Sequence, residues 1–289
     1  MKTFSTSADI SAATIAGQVA GALAEDVGDG DLTAALVPVN TPAKATVITR
    51  ESAVLCGTRW FNETFYQLDD AIQIRWLYQD GDKISANALL CELGGSARAL
   101  LTGERTALNF LQTLSGTATQ TRRYADAIKH TACKVLDTRK TVPGLRHAQK
   151  YAVACGGGIN HRIGLFDAIL IKENHIIAAG SIAAAIQNAR SIAAKKMVEI
   201  EVETLDELRQ ALHPSIDRIL IDNFALSDMR KAVELRNEYS HHRIELEASG
   251  NVTLDNIRDI AETGVDFISV GALTKHVHAI DLSMRFEFT

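Results

Sequence analysis

The chain has 289 residues, of which 30 are basic and 35 acidic, giving a net charge of −5. Its hydrophobic fraction of 46% and charged fraction of 22% are typical of a folded protein and exclude extensive disorder. The negative net charge argues against a broad basic surface for nucleic acid or anionic lipid, so any anion site must be local. At this length we expect two domains, or one large barrel with an attachment.

The cysteines and the N-terminus indicate a reducing compartment. The four cysteines are far apart and form no Cys-x-x-Cys pair: Cys56, Cys91, Cys133 and Cys155. This spacing is typical of reduced, structural thiols and does not indicate a zinc site. The N-terminus lacks a secretory signal, and no apolar run approaches the length of a bilayer span. We expect a cytoplasmic protein with no membrane contact.

The first part of the chain reads as a small mixed domain. Apolar spacing predicts a helix from Ser7 to about Glu25, capped by Ser7 or Asp9. Three β-like segments follow, separated by glycine-containing turns: Ala45–Arg50, Ile72–Tyr78 and Ile84–Leu93, with turns at Gly81-Asp82 and Gly94-Gly95. A second helix is predicted from near Thr102, with Glu104 in its first turn.

From Lys134 onward the pattern changes to short apolar strands that alternate with helical stretches, as βα units require. We predict these strands: Lys134–Asp137, Ala168–Ile171, Val198–Val202, Arg218–Ile221, Ile244–Glu247 and Phe267–Val270. Polar residues follow nearly every strand, and the carboxyl ends of parallel strands form the functional face of an α/β barrel. A doubly wound sheet is the alternative, but no glycine-rich nucleotide loop accompanies the strands. The pattern therefore favours a barrel.

Positive charge is concentrated between Asp137 and His175, a segment that contains six basic residues and three acidic ones. The basic residues are Arg139, Lys140, Arg146, Lys150, Arg162 and Lys172. Arg139, Lys140 and Lys172 stand at predicted strand ends. Arg162, together with His161, follows a run of three glycines. Cations in such positions bind carboxylates and phosphates. The alternative is a solvated helix face, which suits Arg146 and Lys150, spaced four apart. The pattern predicts a multiply anionic ligand.

Carboxylates collect on the next strands. Glu199, Glu201 and Glu203 alternate, so all three are expected on the interior face of the barrel. Asp222 ends the following strand beside them. Such a set indicates either a Mg²⁺ site shared with substrate phosphates or internal salt bridges to the cations. Small residues at the last strand ends, at 249–251 and 271–272, offer backbone donors where barrels often bind phosphate.

Several longer motifs carry a family resemblance. They are Glu25–Thr33, Glu104–Asn109, Asp137–Arg146, Gly156–Arg162, Lys172–His175, Ile221–Phe224 and Val270–Thr274. In this order and over nearly the whole chain, the sequence resembles the quinolinate phosphoribosyltransferases, the decarboxylating nicotinate-nucleotide pyrophosphorylases. Two positions depart from that family: Glu173, where Asp is frequent, and Asn251, where Gly is frequent.

The resemblance implies the α/β architecture of type II phosphoribosyltransferases. It implies an N-terminal α/β sandwich at 1–114, an incomplete α/β barrel at 115–275, and a C-terminal tail at 276–289 that returns to the first domain. It also implies a homodimer in which the partner contributes Arg105 to the quinolinate pocket.

The resemblance also assigns roles to matched positions. The residues expected to hold the quinolinate carboxylates are Arg105, Thr138, Arg139, His161, Arg162 and Lys172. Those expected to contact phosphoribosyl pyrophosphate (PRPP) are Lys140, Ser249, Gly250, Asn251, Val270, Gly271 and Ala272. Glu201 and Asp222 would bind Mg²⁺ or the ribose hydroxyls, and Lys140, Lys172, Glu201 and Asp222 form the expected catalytic set. No organic prosthetic group is implied.

Three other functions stay open from the residues alone. A related phosphoribosyltransferase could use nicotinate or another aromatic acid, although two ligand carboxylates account better for so many cations. A Schiff-base lyase could use Lys172 as the amine nucleophile. A non-catalytic protein could bind the dicarboxylate without releasing pyrophosphate.

Overall fold

The structure, a computed structural model, describes residues 10–239 and 244–288 of the chain. These residues form two compact units. The sandwich unit comprises residues 10–122, 142–157 and 276–288, and the barrel unit comprises residues 123–141, 158–239 and 244–275. The domain boundaries expected after residues 114 and 275 stay predictions. Within the described ranges, no helix combines the length and the apolar character that crossing a bilayer requires.

The elements alternate between helix and strand along most of the chain. The helices are α1 Ala12–Val27, α2 Thr58–Leu68, α3 Ala97–Ala127, α4 Arg146–Cys155, α5 Glu173–Ala179, α6 Ile182–Ile192, α7 Leu205–Ala211, α8 Leu226–Glu238, α9 Ile257–Ala261 and α10 Ala272–Lys275. The strands are β1 Pro42–Thr49, β2 Ala53–Val54, β3 Gln73–Trp76, β4 Lys83–Ile84, β5 Leu89–Ser96, β6 Lys134–Leu136, β7 Ala168–Ile171, β8 Met197–Val202, β9 Arg218–Asp222, β10 Glu245–Ser249, β11 Phe267–Ser269 and β12 Leu282–Phe288.

An antiparallel sheet of order β12-β1-β5-β3 forms one layer of the sandwich unit. Residues of β1 alternate between buried and more exposed positions, so one face of the sheet is apolar. That face shares a core with α2 and α3 through Phe61, Phe65 and Leu108. The last strand, β12, pairs with β1 from Ala43 opposite Phe288 to Thr49 opposite Leu282, so the C-terminal segment completes the sheet.

A second core of the sandwich unit joins helices that are distant in sequence. Ile15 and Val19 of α1 pack with Trp60 of α2 and with Ala148 and Ala152 of α4. Helix α4 therefore belongs to the sandwich unit, although its neighbours in sequence belong to the barrel unit.

The barrel unit contains six parallel strands in the order β6-β11-β10-β9-β8-β7. From β7 to β11 this spatial order follows the chain, and β6 joins next to β11. A doubly wound sheet would reverse its order part-way, so this topology is that of a barrel. Strands β6 and β7 are the edges of the sheet in the described residues, which leaves the barrel incomplete. The predicted fold class is confirmed.

The predicted elements were less accurate in the first part of the chain. Residues 7–9 lie outside the described residues, and α1 is capped by Ser11, whose hydroxyl accepts the Thr14 N–H. Helix α3 begins at Ala97, five residues before the predicted Thr102, so Glu104 is not in its first turn. The segment predicted as one strand at 84–93 divides into β4 and β5.

Some features of the first part were not predicted at all. Gly94 and Gly95, expected in a turn, lie inside β5, where they pair with Lys44 and Ala43. Helix α2 and, at the other end of the chain, strand β12 were not predicted from the sequence either. The four cysteines are free, as predicted, and only Cys155 is more than slightly exposed.

Candidate active site

The predicted polar residues gather at the carboxyl ends of the parallel strands. Lys172 follows β7, Glu201 is near the end of β8, and Asp222 ends β9. In the strand register, Asp222 lies opposite Ser249 of β10. Because parallel strands end at one rim of the sheet, these side chains share one rim.

Lys172 and Glu201 form an ion pair at this rim, between Lys172 Nζ and Glu201 Oε2. The lysine side chain is 48% exposed and the glutamate 19%, so the pair borders solvent. The backbone N–H of Lys172 donates to His175 Nδ1 at 2.9 Å, which fixes the start of α5. Lys172 is thus held from both its backbone and its amine.

The three alternating glutamates lie at different depths, and only two are on the strand. Glu199 is 1% exposed, Glu201 is half-buried, and Glu203 follows the end of β8 and is exposed. The expectation that all three face the barrel interior is therefore wrong for Glu203, whose backbone N–H donates to Glu207 Oε2.

The loop after β6 brings Thr138 and Lys140 close to Gly271. The Lys140 N–H donates to Thr138 Oγ1 at 3.0 Å, and Thr274 Oγ1 donates to the Lys140 carbonyl oxygen at 2.9 Å. A Cβ on Gly271 would lie only 3.1 Å from Lys140 Cδ. The absence of a side chain at 271 therefore leaves room for the lysine beside the start of α10.

Arg139 and Arg162 lie near enough to repel each other. Burial lowers the pKa of the Arg162 guanidinium, and the charge of Arg139 lowers it further. Glu199 and Asp167 oppose this shift. Two guanidinium groups in one place favour an anion between them, which is the ligand class that the sequence predicts.

The irregular loop that carries Arg162 is held by buried side chains. Asp137 is fully buried and accepts from Asn160 Nδ2 at 2.6 Å and from the His161 N–H at 2.8 Å. Asp167 accepts the backbone N–H groups of the two residues after Arg162, Ile163 and Gly164, at 2.7 and 2.9 Å.

The Arg162 side chain is also anchored, since its Nη1 donates to the carbonyl oxygen of Ala168 at 3.2 Å. Asp137 and Asn160 were not predicted as functional residues. The acidic end of β6 was the available signal, since a carboxylate at a strand end indicates an interaction with the polar rim.

Below the rim, a charged network fills the barrel interior. His161 Nε2 lies 2.9 Å from Glu199 Oε2 and 3.6 Å from Glu247 Oε2. Arg218 contacts Glu247 at 3.1 Å and Glu245 at 2.8 Å, and its guanidinium stacks 4.0 Å from the Phe267 ring centre. Of the internal salt bridges to cations expected for some of the glutamates, the structure shows the one between Lys172 and Glu201, whereas Glu199 has a hydrogen bond with His161.

The two interior carboxyl groups have opposite pKa shifts. Burial raises the pKa of Glu247 to about 7, with the charge of Glu199 as the next cause. Although burial also disfavours the charged form of Glu199, the interactions with His161 and Arg218 lower its pKa. At neutral pH the proton of this pair therefore resides mainly on Glu247.

Both ring nitrogens of His161 have protein partners. Nε2 faces Glu199, and Nδ1 accepts the Arg162 backbone N–H at 2.8 Å. A direct contact from His161 to a quinolinate carboxylate would require one of these two hydrogen bonds to be exchanged. That contact stays a prediction.

The loop after β10, expected near phosphates, has a glycine at a position where the chain tolerates no side chain. Gly250 has φ +100°, and a Cβ there would lie 2.1 Å from Asn223 Oδ1. Asn223 and Asn251 also have positive φ angles, of 56° and 48°. Asn251 Nδ2 donates to Asn223 Oδ1 at 3.3 Å, so the loops after β9 and β10 are joined.

Glu201 and Asp222 suit a Mg²⁺ ion that takes most of its ligands from elsewhere. Both are carboxylates at one rim, and Asp222 Oδ2 accepts a hydrogen bond from a neutral amide, Asn223 Nδ2, at 2.8 Å. Mg²⁺ is commonly bound by one or two carboxylates together with waters and substrate phosphates. The donor set therefore fits the ion implied by the sequence.

The other predicted cations lie in the sandwich unit. Arg105 is an exposed residue of α3, while Arg146 and Lys150 belong to α4. Lys150 is fully buried, so the expectation of a solvated helix face is wrong at this position.

Comparison with known proteins gives matches over both units. Residues 31–115 match the model of the quinolinate phosphoribosyl transferase N-terminal domain, and residues 117–285 match that of the C-terminal domain. The chain belongs to the quinolinate phosphoribosyl transferase family.

Relatives of this family member cover it almost completely. A Bacillus subtilis protein named probable nicotinate-nucleotide pyrophosphorylase [carboxylating] is 41% identical over 90% of this chain and 89% of its own length. A mitochondrial quinolinate phosphoribosyltransferase [decarboxylating] of Nicotiana tabacum is 39% identical over 92% of the chain and 80% of its own. The solved nicotinate-nucleotide pyrophosphorylase of Francisella tularensis is 50% identical, with a TM-score of 0.94 over 98% of this chain and 99% of that one.

Proposed function

We propose that this quinolinate phosphoribosyl transferase family member transfers the phosphoribosyl group of PRPP to quinolinate with decarboxylation. The products are nicotinate mononucleotide, pyrophosphate and CO₂, in the de novo biosynthesis of NAD. The observation that carries this proposal is the family match over both units, together with a rim that collects cations and carboxylates. The enzyme is a pentosyltransferase.

Arg139, Arg162 and Lys172 bind the two carboxylates of quinolinate. The mutual repulsion of the two arginines supports this assignment, because a bound dianion relieves it. Thr138 adds a hydroxyl donor beside them. The ion pair with Glu201 keeps the Lys172 amine close to the pocket, and a ligand carboxylate competes for the same ammonium group.

Lys140 and the loops at 249–251 and 270–272 bind the phosphates of PRPP. The proximity of Gly271 to Lys140, and the positive φ angle of Gly250, support this placement because loops that bind phosphate through backbone N–H groups use glycine at such positions. Glu201 and Asp222 hold Mg²⁺ or the ribose hydroxyls. When bound, the ion neutralises charge on the departing pyrophosphate.

The reaction then follows from the charge distribution at the rim. The C1–O bond of the ribose breaks and its electron pair leaves with pyrophosphate, while the pyridine nitrogen forms the new bond to C1. Glu201 and Asp222 stabilise the positive charge that develops on the ribose. The quaternised ring next accepts the electron pair of the C2–carboxylate bond, CO₂ leaves, and a proton takes its place at C2.

The assembly and the compartment belong to the same proposal. Arg105, an exposed cation of α3, completes the quinolinate pocket of the partner in a homodimer. The enzyme works in the cytoplasm, without membrane or nucleic acid contacts.

One assay tests this function against its alternatives. Pyrophosphate and CO₂ are measured together, first with quinolinate and then with nicotinate, in the presence of PRPP and MgCl₂. We expect equal amounts of both products with quinolinate and little pyrophosphate with nicotinate. Equal turnover of nicotinate would contradict the substrate assignment, and quinolinate binding without pyrophosphate release would indicate a binding protein.

A Schiff-base lyase is less compatible with the rim. Its amine nucleophile, Lys172, would have to give up the ion pair with Glu201 before it could attack a carbonyl group. Borohydride trapping of a substrate on Lys172 would nevertheless contradict the transferase proposal.

A further inference from the structure

The buried partner of His161, Glu199, has no role in the proposed reaction. We propose that Glu199 is a positioning residue for quinolinate recognition, which acts through His161 on the loop that carries Arg162. This inference rests on the proposed function, because it assigns a task to residues beneath the proposed dicarboxylate pocket.

The hydrogen bonds of His161 define its tautomer. A backbone N–H can only donate, so the 2.8 Å contact from the Arg162 N–H requires a lone pair on Nδ1. The proton of the neutral ring must then be on Nε2, which donates to Glu199 Oε2 at 2.9 Å. His161 is therefore a neutral ring in one fixed tautomer, with Glu199 as the group that selects it.

Electrostatics acts on His161 in two directions. Burial lowers its pKa, but the carboxylates of Glu199 and Glu247 outweigh burial, so the pKa of His161 lies above its usual value. A second proton would have to sit on Nδ1, where it would meet the Arg162 N–H. The charge of Glu199 has other counter-ions, since both Arg218 and Arg162 interact with it. The hydrogen bond from the Arg162 N–H to Nδ1 is therefore what keeps a second proton off the imidazole ring in this arrangement.

The same bonds argue against a metal ion in this cluster. His161, Glu199 and Glu247 offer ligand atoms within 4.8 Å of one another, which would suit a cation. A metal ion bound to Nε2 would move the ring proton to Nδ1, but Nδ1 already accepts the hydrogen bond from the Arg162 N–H. Binding would need an imidazolate or the loss of the Arg162 hydrogen bond, so the geometry favours a hydrogen-bond relay.

The relay matters because the loop has no regular secondary structure. The four successive backbone N–H groups of residues 161 to 164 donate hydrogen bonds to side chains, and not to backbone carbonyl groups as they would in a sheet or helix. Asp137 and Asp167 accept three of them, and His161 accepts the one at Arg162 itself. His161 is held in turn by Glu199, so Glu199 controls the orientation of the backbone from which the guanidinium extends.

Two substitutions at Glu199 separate geometry from charge. Glu199→Asp keeps the charge but withdraws the acceptor by one methylene, whereas Glu199→Gln keeps an acceptor in place and removes the charge. For Glu199→Asp we expect the quinolinate Kd to rise about tenfold, equivalent to about 1.4 kcal/mol, with the PRPP Kd unchanged. Glu199→Gln should bind quinolinate nearly as tightly as the wild type. Titration calorimetry with quinolinate alone, and with PRPP and MgCl₂, measures both values.

Substitutions of His161 test the same link from its other end. The amide oxygen of His161→Asn reaches the position of Nδ1 and can accept the Arg162 N–H, whereas His161→Gln places its amide near Nε2. We expect the asparagine variant to bind quinolinate more tightly than the glutamine variant. In the wild type, ¹⁵N NMR of the labelled histidine should report a protonated Nε2 and an unprotonated Nδ1. This measurement decides the tautomer even if a Glu199 variant does not fold.

Matched controls define the outcomes. Glu203→Asp makes the same change four residues along, at an exposed position, and should leave both affinities unchanged. Three outcomes would each overturn the positioning role. The first is that Glu199→Gln weakens quinolinate binding as much as Glu199→Asp does. The others are that Glu199→Asp weakens quinolinate and PRPP binding equally, or that Nδ1 of His161 is protonated. If the wild type neither binds quinolinate nor forms product, the proposed function fails. If the wild type is active and Glu199→Asp matches it, only this inference fails.

Discussion

Gly250 and Asn251 show how single residues build the loop after β10. Both have positive φ angles, a region that glycine enters freely and asparagine tolerates better than most residues. Asparagine at 251, where glycine is frequent in the family, therefore preserves the backbone. It also adds a side-chain donor to Asn223 Oδ1. The departure found in the sequence is thus compatible with the predicted phosphate loop.

We predict that Gly250→Ala weakens PRPP use far more than it destabilises the fold. The new Cβ would lie 2.1 Å from Asn223 Oδ1, so the loops after β9 and β10 would have to separate. Positive φ at alanine costs roughly 1–2 kcal/mol in addition. We expect the KM for PRPP to rise at least about tenfold, equivalent to about 1.4 kcal/mol, in steady-state assays at saturating quinolinate.

The control for this prediction is Gly180→Ala at the end of α5. Gly180 has φ +85° but nothing within 4 Å of the added Cβ, so it carries the same backbone strain without the clash. It should lower the melting temperature while the KM for PRPP stays unchanged. A Gly250→Ala enzyme with a normal KM would show that the loop does not contact the phosphates.

Glu247 makes the stability of the folded protein depend on pH. Its pKa of about 7 in the folded chain exceeds the ordinary value of 4.5 because of burial and the neighbouring Glu199. Between these values the folded state binds more protons than the unfolded state, so this group lowers stability as the pH rises. The slope is at most about 1.4 kcal/mol per pH unit.

We therefore predict that Glu247→Gln gains stability relative to the wild type as the pH rises from about 5 to 8. The glutamine resembles the protonated carboxyl group and can still accept from Arg218, whereas the wild type must ionise in the interior. Thermal unfolding followed by circular dichroism measures the difference. A constant difference for Glu247→Gln would contradict the assigned titration.

At the scale of elements, the barrel strands were predicted more accurately than the sandwich strands, of which β1 and β3 overlap their predicted segments and β12 was missed. Predicted and observed strands of the barrel differ by at most two residues at either end, because each is a buried apolar run that ends in polar residues. In the sandwich, Gly94 and Gly95 look like a turn in the sequence. They form the end of β5, since pairing with β1 and the approach of Ile72 override the local preference.

Because Ile72 lies against Gly95 and not against Gly94, we predict that alanine has different effects on stability at these two adjacent glycines. A Cβ at Gly95 would lie 2.8 Å from Ile72 Cγ1, while Gly94 has nothing within 4 Å. Gly95→Ala should destabilise the protein by about 1–3 kcal/mol through overpacking. Gly94→Ala should be neutral, or stabilising by up to about 1 kcal/mol because alanine is less flexible when unfolded. Chemical denaturation of both variants measures the difference, and equal effects would contradict the packing argument.

At the scale of the whole molecule, both units are assembled from segments that are distant in sequence. Helix α4 and strand β12 join the sandwich unit although each follows a barrel segment along the chain. Local periodicity predicts a helix at Arg146–Cys155 but contains no information about which core it enters. For the same reason the sequence predicted the rim residues Lys172 and Glu201, yet not the buried contacts of Asp137 and Arg218, which depend on packing between several strands.

The net charge of the whole molecule also matters, since a protein with a net charge of −5 has to attract anionic substrates. The overall field repels a dianion such as quinolinate, while the local cations Arg139, Arg162 and Lys172 attract it. Salt screens both effects, and the Debye length is about 10 Å at 0.1 M. If the local cations dominate, the KM for quinolinate must rise with salt. If the overall charge dominates, it must fall.

We predict that the KM for quinolinate rises as KCl is increased from about 0.02 to 0.3 M. The matched control is Glu92→Gln, which changes the net charge by one unit at an exposed ion pair with Arg75 in the sandwich unit. This variant should follow the same salt dependence as the wild type, because it leaves the rim cations unchanged. A KM that falls with salt, or a slope that shifts in Glu92→Gln, would show that the overall field and not the rim controls substrate capture.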